Sequence, residues 1–281
     1  MTGWERVHAG GILWRCYAGG ASESPPLVIL HGLFGAGDNW QSQARALATG
    51  DGDEGGSVAR TVLVPDLPDH GDSLHTDSFT YPAIAQLLWD VLPRVPASFP
   101  VELLGHSMGG KIGMAMALQR PDRVSRLVVV DIAPVRYPSR HREILEGMQA
   151  VAEAAPASRS RAEQILAPYV PEKAVRLFLL KSLVPRDDSR DAYGWKLNLE
   201  GIRRCYDSIS DWPFDPATTT AFQGPTLFIR GGRSPYIEES GEEKIRAFFP
   251  RAVIRTIQGA GHWVHAEARE TFLSVVRGAD S

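Results

Sequence analysis

The chain has 281 residues, of which 43% are apolar and 9% aromatic, so it is long enough to bury a sizeable core. Its formal net charge of −3 gives no electrostatic basis for binding nucleic acid or an anionic membrane surface. The chain has two cysteines, no apolar run near the ~20 residues that span a bilayer, and no apolar signal segment at its N-terminus. These features predict a cytoplasmic protein with no membrane span and no nucleic-acid partner.

Strand and helix patterns alternate through the first half of the chain. A hairpin signal at Gly10-Gly11 joins two short strands, and the later, largely apolar runs are typical of strands covered on both faces. These runs lie at residues 27–30, 61–64, 99–104 and 127–130, with helical patterns at 40–47, 81–92 and 111–119 between them. The alternation predicts an α/β fold with a mostly parallel central sheet flanked by helices. The Gly- and acid-rich residues 49–57 are expected to form a surface insertion.

The alternation stops at residue 137. Helical patterns follow at residues 140–153, 160–166, 171–183 and 200–208, with a polar loop predicted at 183–191. Strand patterns return at 226–229 and 253–257, and helical patterns follow them at 238–248 and 263–276. We therefore expect a core domain of residues 1–136 and 221–281 and an inserted helical cap of residues 137–220.

A candidate nucleophile lies between the predicted strand at 99–104 and the helix that follows it. The motif Gly105-His106-Ser107-Met108-Gly109 has the Gly-x-Ser-x-Gly spacing of a nucleophile elbow. In such a turn the serine hydroxyl projects from the sheet, and glycine on both sides lets neighbouring backbone approach without a Cβ clash. The motif predicts that Ser107 is a catalytic nucleophile and that the Met108 N–H points to where an oxyanion forms.

A serine nucleophile needs a base that takes its proton and an acid that orients the base. His262 is the candidate base because it lies in a small-residue loop directly after the last predicted strand. The position where a Gly-x-x-Asp acid would follow the strand at 226–229 carries Ser234 instead. Asp131 ends a strand of one Leu and three Val residues, where packing does not require a carboxylate. We therefore assign the acid to Asp131, with Glu238 as the alternative.

The loop after the strand at 27–30 is expected to supply the second oxyanion donor. Its sequence His31-Gly32-Leu33 places the Leu33 N–H, or that of Phe34, beside the elbow. His31 is expected to hold this loop through its ring nitrogens. His265 follows His262 by three residues, but no carboxylate or cysteine cluster completes a metal site there. We expect His265 to make a structural hydrogen bond, and we expect no metal and no organic cofactor.

In their order along the chain, His31-Gly32, the elbow motif and Gly261-His262 resemble the α/β-hydrolase superfamily over essentially the whole sequence. More narrowly, six separated segments resemble the YbfF-type small esterases and thioesterases, which are similar to the eukaryotic abhydrolase-domain-containing protein 11. These segments are residues 31–35, 105–111, 131–134, 178–182, 232–236 and 261–265. The resemblance implies that Asp131 is the triad acid and that the substrate is a small-molecule acyl ester or acyl-CoA thioester. One departure is Pro68-Asp69 where these relatives carry Arg-Asn, which is expected to change the charge near the mouth of the pocket.

The predicted function is that of a serine carboxylester hydrolase with a Ser-His-Asp triad and an acyl-enzyme intermediate. Candidate substrate-binding residues are Phe34, His106, Phe178, Trp195, Asn198 and Trp263. Two alternatives stay open. In the first, the same triad serves carbon–carbon bond hydrolysis or a lyase reaction, with a dicarboxylate gripped by the cap residues Arg142, Arg176 or Arg203. In the second, the chain is a ligand-binding or signalling protein on a hydrolase scaffold.

Overall fold

The structure is a computed structural model that describes residues 4–19, 24–50, 59–186 and 189–278, so most of the expected insertion at 49–57 lies outside the described residues. The strands of the described residues are β1 (Trp4–Ala9), β2 (Ile12–Tyr17), β3 (Leu27–Leu30), β4 (Val62–Pro65), β5 (Val101–His106), β6 (Val124–Val130), β7 (Leu183–Arg186), β8 (Ser189–Trp195), β9 (Thr226–Gly231) and β10 (Ala252–Ile257). The α-helices are α1 (Gln41–Thr49), α2 (Tyr81–Asp90), α3 (Met108–Gln119), α4 (Arg142–Ala154), α5 (Arg159–Leu166), α6 (Lys173–Leu179), α7 (Leu199–Arg204), α8 (Tyr206–Ser210), α9 (Glu239–Phe248), α10 (Val264–Glu267) and α11 (Arg269–Arg277). None of these helices has both the length and the apolar character that crossing a bilayer requires.

In the described part of the chain, eight strands form one sheet in the order β1-β2-β4-β3-β5-β6-β9-β10. β1 pairs with β2 and β2 with β4 in the antiparallel sense, and the other neighbours are parallel, which confirms the predicted mostly parallel sheet. Leu30 lies opposite Gly105, and His106 lies opposite Val130. The carboxyl ends of β3, β5 and β6 therefore lie at one edge of the sheet, which is where ligands bind in open α/β folds.

The central strands are apolar because both faces of the sheet are covered. Every residue of β3, β4 and β5 is buried. Alternate residues of β3 belong to two separate apolar clusters, with Leu27 and Ile29 in one and Val28 and Leu30 in the other. α3 lies so close to the sheet that a Cβ on Gly109 would be 2.3 Å from the Leu30 carbonyl oxygen, so only glycine fits there.

Residues 137–220, which we call the cap segment, connect β6 to β9. They contain helices α4 to α8, but the predicted polar loop at 183–191 is wrong, because β7 and β8 pair there as an antiparallel hairpin. The hairpin packs on the cap helices, and the Trp195 side chain at its end donates a hydrogen bond to the Met148 carbonyl of α4 at 2.8 Å. The Tyr137 N–H, where the cap segment begins, donates to the Ser210 carbonyl at the end of α8 at 2.9 Å. The start of the cap segment therefore lies beside the end of its last helix.

Candidate active site

Ser107 occupies a strained turn between β5 and α3. Its φ of +53° and ψ of −120° lie in a region that non-glycine residues rarely adopt. Its N–H donates to the Val130 carbonyl at 3.0 Å, which fixes the turn against the end of β6. A Cβ on Gly105 would lie 2.2 Å from the Gly109 carbonyl oxygen, so the turn closes only with glycine at that position. This is the local geometry expected of a nucleophile elbow.

The His262 imidazole and the Asp131 carboxylate are hydrogen-bonded, with 2.7 Å between Nδ1 and Oδ2. Asp131 is wholly buried at the end of β6, and its carboxylate also accepts hydrogen bonds from the Gly231 N–H at 2.9 Å and from the Ser234 hydroxyl. Since Nδ1–H faces the carboxylate, the Nε2 atom of neutral His262 carries no proton and can accept one. Glu238, the alternative acid, is exposed at the N-cap of α9.

Sequence reasoning missed the part that Ser234 plays. It noted only that a serine stands where an acid was expected, and it did not foresee that the hydroxyl would donate to an acid on the neighbouring strand. The parallel pairing of β6 with β9 brings the loop after β9 beside Asp131, and this pairing is the signal that connects the two positions.

Two aromatic rings contact the His262 imidazole. Tyr236 stacks on it, with ring centroids 4.0 Å apart and an interplanar angle of 21°. The His106 ring lies 4.7 Å away, and its Nε2–H donates to the His262 carbonyl at 2.9 Å. Burial lowers the pKa of His106 well below its usual value, so this ring is neutral. The elbow motif therefore positions both the nucleophile and the backbone of the histidine that faces it.

The buried Nδ1 of His265 has no hydrogen-bond partner among the described residues. Its ring instead stacks on Trp40 at 4.2 Å with an interplanar angle of 14°. Its backbone carbonyl accepts a hydrogen bond from the Gln43 side chain at 2.8 Å. His265 therefore holds the start of α10 through stacking and its main chain.

The candidate oxyanion donors lie on the walls of one cavity with Ser107. Met108 is the first residue of α3, where an N–H has no partner within the helix, and Leu33 lines the same cavity. The Phe34 N–H is already used, because it donates to His70 Nε2 at 3.2 Å, which favours Leu33 as the second donor. His31 donates to the Gly32 carbonyl at 2.8 Å and accepts from the Leu67 N–H at 2.9 Å. The expectation that His31 holds this loop through its ring nitrogens is thus confirmed.

Two cavities meet at Ser107. The larger has a volume of about 220 Å³ and is lined by four of the predicted substrate-binding residues, which are Phe34, His106, Phe178 and Trp263. His262 also lines it, and the Phe178 and Trp263 rings contact each other across it at 5.5 Å. The smaller cavity has a volume of about 40 Å³ and lies beside Met108 and Lys111. Ser107 is therefore open to substrate from two sides.

Comparison with known proteins agrees with this geometry. A family model described as the alpha/beta hydrolase fold matches residues 25–268. The chain belongs to the α/β-hydrolase family. It is 40% identical over 263 residues to the sn-1-specific diacylglycerol lipase ABHD11 of Mus musculus. This alignment covers 92% of this chain and 81% of that protein. It is 37% identical over 253 residues to esterase YbfF of Escherichia coli K12. This alignment covers 90% of this chain and 91% of that protein.

A solved structure of a marine microorganism esterase superposes on this α/β-hydrolase with a TM-score of 0.82 and 32% identity, over 94% of this chain and 97% of that chain. The resemblance predicted from the motifs is confirmed by these relatives. Since the relatives are esterases and a lipase, the chain is a hydrolytic enzyme.

In this α/β-hydrolase, two predicted substrate-binding residues lie away from both cavities. The Trp195 Nε1–H donates to a carbonyl inside the cap segment, as described above. Asn198 caps α7 by accepting from the Gly201 N–H at 3.0 Å, and its Nδ2 donates to the Asp69 carboxylate at 2.7 Å. Both side chains are used in holding the cap segment, and the expectation that Trp195 and Asn198 face the substrate stays a prediction.

Asp69, where the chain departs from the YbfF-type pattern, is a buried residue. It is 4% exposed, and its carboxylate accepts hydrogen bonds from the Thr76 N–H at 2.8 Å, the Thr76 hydroxyl and Asn198. The substitution therefore acts on the junction between the core and the cap segment.

The three cap arginines that the sequence offered for a dicarboxylate substrate are not among the described residues that line the two cavities. Arg176 donates to the Val170 and Pro171 carbonyls at 2.9 and 2.8 Å, and neither Arg142 nor Arg203 is among the described residues that line the two cavities. Sequence reasoning missed Arg140, whose guanidinium lies 5.2 Å from the centroid of the Tyr236 ring at the small cavity. Within the described part of the chain, no three His, Cys, Asp or Glu side chains converge as metal ligands do.

Proposed function

We propose that this α/β-hydrolase cleaves acyl esters and acyl thioesters with Ser107 as nucleophile, His262 as base and Asp131 as the acid that orients His262. The observation that carries the proposal is one cavity lined by both Ser107 and His262, with His262 hydrogen-bonded to a buried carboxylate. The names of the relatives, an esterase and a diacylglycerol lipase, support an ester substrate.

Acylation begins when the Ser107 Oγ attacks the carbonyl carbon of the substrate and its proton passes to His262 Nε2. The carbonyl oxygen becomes an oxyanion that faces the N–H groups of Leu33 and Met108, and one such donor is worth ~3 kcal/mol to the transition state. The bond to the leaving oxygen or sulfur then breaks, and His262 gives its proton to that atom. An acyl-enzyme and a free alcohol or thiol result.

Deacylation repeats these steps with water. His262 takes a proton from the water molecule as its oxygen adds to the acyl carbon, and Ser107 leaves with the proton that His262 returns. Asp131 stays ionised throughout and stabilises the imidazolium that forms in each half-reaction. The free acid is released, and the enzyme returns to its starting state.

The cap segment supplies one wall of both cavities, through residues such as His141, Phe178 and Tyr206. We therefore propose the division into a core of residues 1–136 and 221–281 and a cap of residues 137–220. A cytoplasmic location is proposed as well, and the free thiols of Cys16 and Cys205 support a reducing compartment.

Hydrolysis of p-nitrophenyl acetate, butyrate and octanoate tests the proposal. Ser107→Ala removes the nucleophile, and we expect kcat to fall by at least about 10³-fold. Asp131→Asn leaves the imidazole in the wrong tautomer, and we expect a loss of roughly 10⁴-fold in kcat. Release of p-nitrophenolate gives the rates, and circular dichroism checks that each variant is folded.

The matched control is Asp122→Asn, which makes the same change to an exposed carboxylate and should alter kcat by less than about twofold. Near-normal rates in Asp131→Asn would show that the acid is wrongly assigned and would direct attention to Glu238. Failure of the wild-type protein to cleave any ester or thioester would overturn the proposed function.

A further inference from the structure

The two cavities at Ser107 differ in size and in the catalytic groups on their walls. The larger, of about 220 Å³, is lined by His262 as well as by Ser107. Among the described residues, Met108 but not His262 lines the smaller cavity, of about 40 Å³, and Leu33 lines both cavities. A serine hydrolase places the acyl group and the leaving group on different sides of the nucleophile, so these cavities divide the substrate between them.

The position of His262 decides which cavity holds the leaving group and which holds the acyl group. The proton that His262 takes from Ser107 must reach the leaving atom, so the leaving group has to lie within hydrogen-bond reach of His262. We propose that the large cavity is the leaving-group subsite and the small cavity the acyl subsite. The enzyme then prefers esters of short acids with large alcohols or thiols. This inference rests on the proposed hydrolysis at Ser107 and adds its specificity.

Two buried polar side chains on the wall of the small cavity are hydrogen-bonded to backbone carbonyls. Tyr81 is 1% exposed, and its hydroxyl donates to the Ile209 carbonyl at 2.5 Å. Lys111 is 2% exposed, and its Nζ donates to the Ser210 and Asp211 carbonyls at 3.0 and 2.8 Å. An apolar acyl chain that reaches these groups meets buried polar atoms with which it cannot form hydrogen bonds, which is unfavourable.

Volume sets the length of the acyl group. A cavity of about 40 Å³ holds about three water-sized groups, which corresponds to an acyl chain of about two to four carbons. The large cavity has room for many more atoms, and its walls include the apolar side chains of Ile144, Val175 and Phe178. The small cavity therefore restricts the length of the acyl chain, whereas the large cavity accepts leaving groups of many lengths.

Two isomeric esters test this assignment, because they differ only in whether the long chain is on the acyl side or on the alcohol side. Hexyl acetate and ethyl hexanoate have the same formula, and both release an unactivated primary alcohol. Wild-type enzyme should cleave hexyl acetate with a kcat/KM at least about tenfold higher than that for ethyl hexanoate, measured by acid release in a pH-stat. Equal rates, or a preference for ethyl hexanoate, would overturn the proposal.

The same isoleucine-to-alanine change, made in one cavity at a time, tests which cavity holds the acyl chain. Ile209→Ala enlarges the small cavity and should raise the ratio of ethyl hexanoate to hexyl acetate hydrolysis by about tenfold. Ile144→Ala enlarges the large cavity and should leave that ratio unchanged or lower it. Ile209→Val is the milder change if Ile209→Ala does not fold, and a smaller shift in the same direction is expected.

The outcomes separate this inference from the function on which it rests. If Ile144→Ala raises the ratio while Ile209→Ala does not, the two subsites are assigned the wrong way round, although the enzyme is still an esterase. If wild type hydrolyses neither isomer and no p-nitrophenyl ester, the proposed function and this inference both fail.

Discussion

Asp131 combines a strained backbone with a carboxylate that is fully paired. Its φ of +53° lies in the left-handed region, which costs a non-glycine residue about 1–3 kcal/mol. Gly231, Ser234 and His262 all donate hydrogen bonds to the wholly buried carboxylate, so its orientation is determined from three directions. Among the described residues Ser234 makes no hydrogen bond to Ser107 or His262, and we expect it to act on the reaction through Asp131.

Removal of the Ser234 hydroxyl should therefore slow the reaction without weakening substrate binding. A hydrogen bond to a charged group contributes about 1.5–3 kcal/mol. We expect Ser234→Ala to lower kcat by about tenfold on p-nitrophenyl butyrate and to leave KM within about twofold. Steady-state kinetics checks this split, with the exposed Ser160→Ala as the matched control. An unchanged kcat would show that the hydroxyl does not orient the acid.

At the scale of elements, the junction between the loop after β4 and the residues after β8 joins the cap segment to the core. The Gly71 N–H donates to the Lys196 carbonyl at 3.0 Å, and the Asn198 N–H donates to the Asp69 carbonyl at 2.9 Å. The side chain of Asn198 adds a bond to the Asp69 carboxylate while it caps α7. One residue thus begins a cap helix and fixes that helix to the core.

Asn198→Ala should destabilise the protein and change its activity little. Loss of an N-cap costs about 1 kcal/mol, and loss of a bond to a buried carboxylate adds about 1–2 kcal/mol to the decrease in unfolding free energy. Urea denaturation measures this decrease, and p-nitrophenyl butyrate hydrolysis should stay within about threefold of wild type. Asn198→Asp keeps a capping oxygen but places a second carboxylate beside Asp69, so it should cost more. A large loss of activity at unchanged stability would instead place Asn198 at the substrate.

The core was predictable from the sequence because its signals are local. Buried parallel strands such as β3 and β4 are continuous apolar runs, and Gly105 of the elbow is required by the backbone of nearby Gly109. The cap hairpin was missed because its strands, Leu183–Arg186 and Ser189–Trp195, lack the alternation of apolar and polar residues that marks a half-buried strand. The directions of the Trp195 and Asn198 side chains depend on how the cap segment packs, which no local pattern records.

At the scale of the whole molecule, four buried histidines surround the site as neutral rings. His31, His70, His106 and His265 are each at most 6% exposed. Burial lowers the pKa of His31 and of His265 to about 3, with smaller contributions from His70 and His262 respectively. Burial lowers the pKa of His70 and His106 as well. The folded protein therefore resists taking up protons that the unfolded chain binds near pH 6.5.

Stability should consequently decrease as the pH falls below about 6.5. Between this pH and about 3 the unfolded state binds more protons, so the free energy of unfolding falls with decreasing pH. His31 and His265 together contribute about 3 kcal/mol per pH unit near pH 5. Urea midpoints at pH 7, 6 and 5 measure the slope. His265→Phe should lower the number of protons bound on unfolding by about one, which makes the slope shallower. His8→Gln changes an exposed histidine and should leave the slope unchanged. A free energy of unfolding that stays constant from pH 7 to 5 would contradict the prediction.

The hydrogen bond from Tyr137 to Ser210 has a consequence for how such enzymes diversify. Because the start of the cap segment lies beside the end of its last helix, an insertion of any length between these two points leaves the strand order of the sheet unchanged. The entropic cost of bringing the ends of such a segment together grows only slowly with its length. Evolution can therefore exchange one cap for another, so lineages acquire new substrates while Ser107, Asp131 and His262 keep their places in an unaltered core.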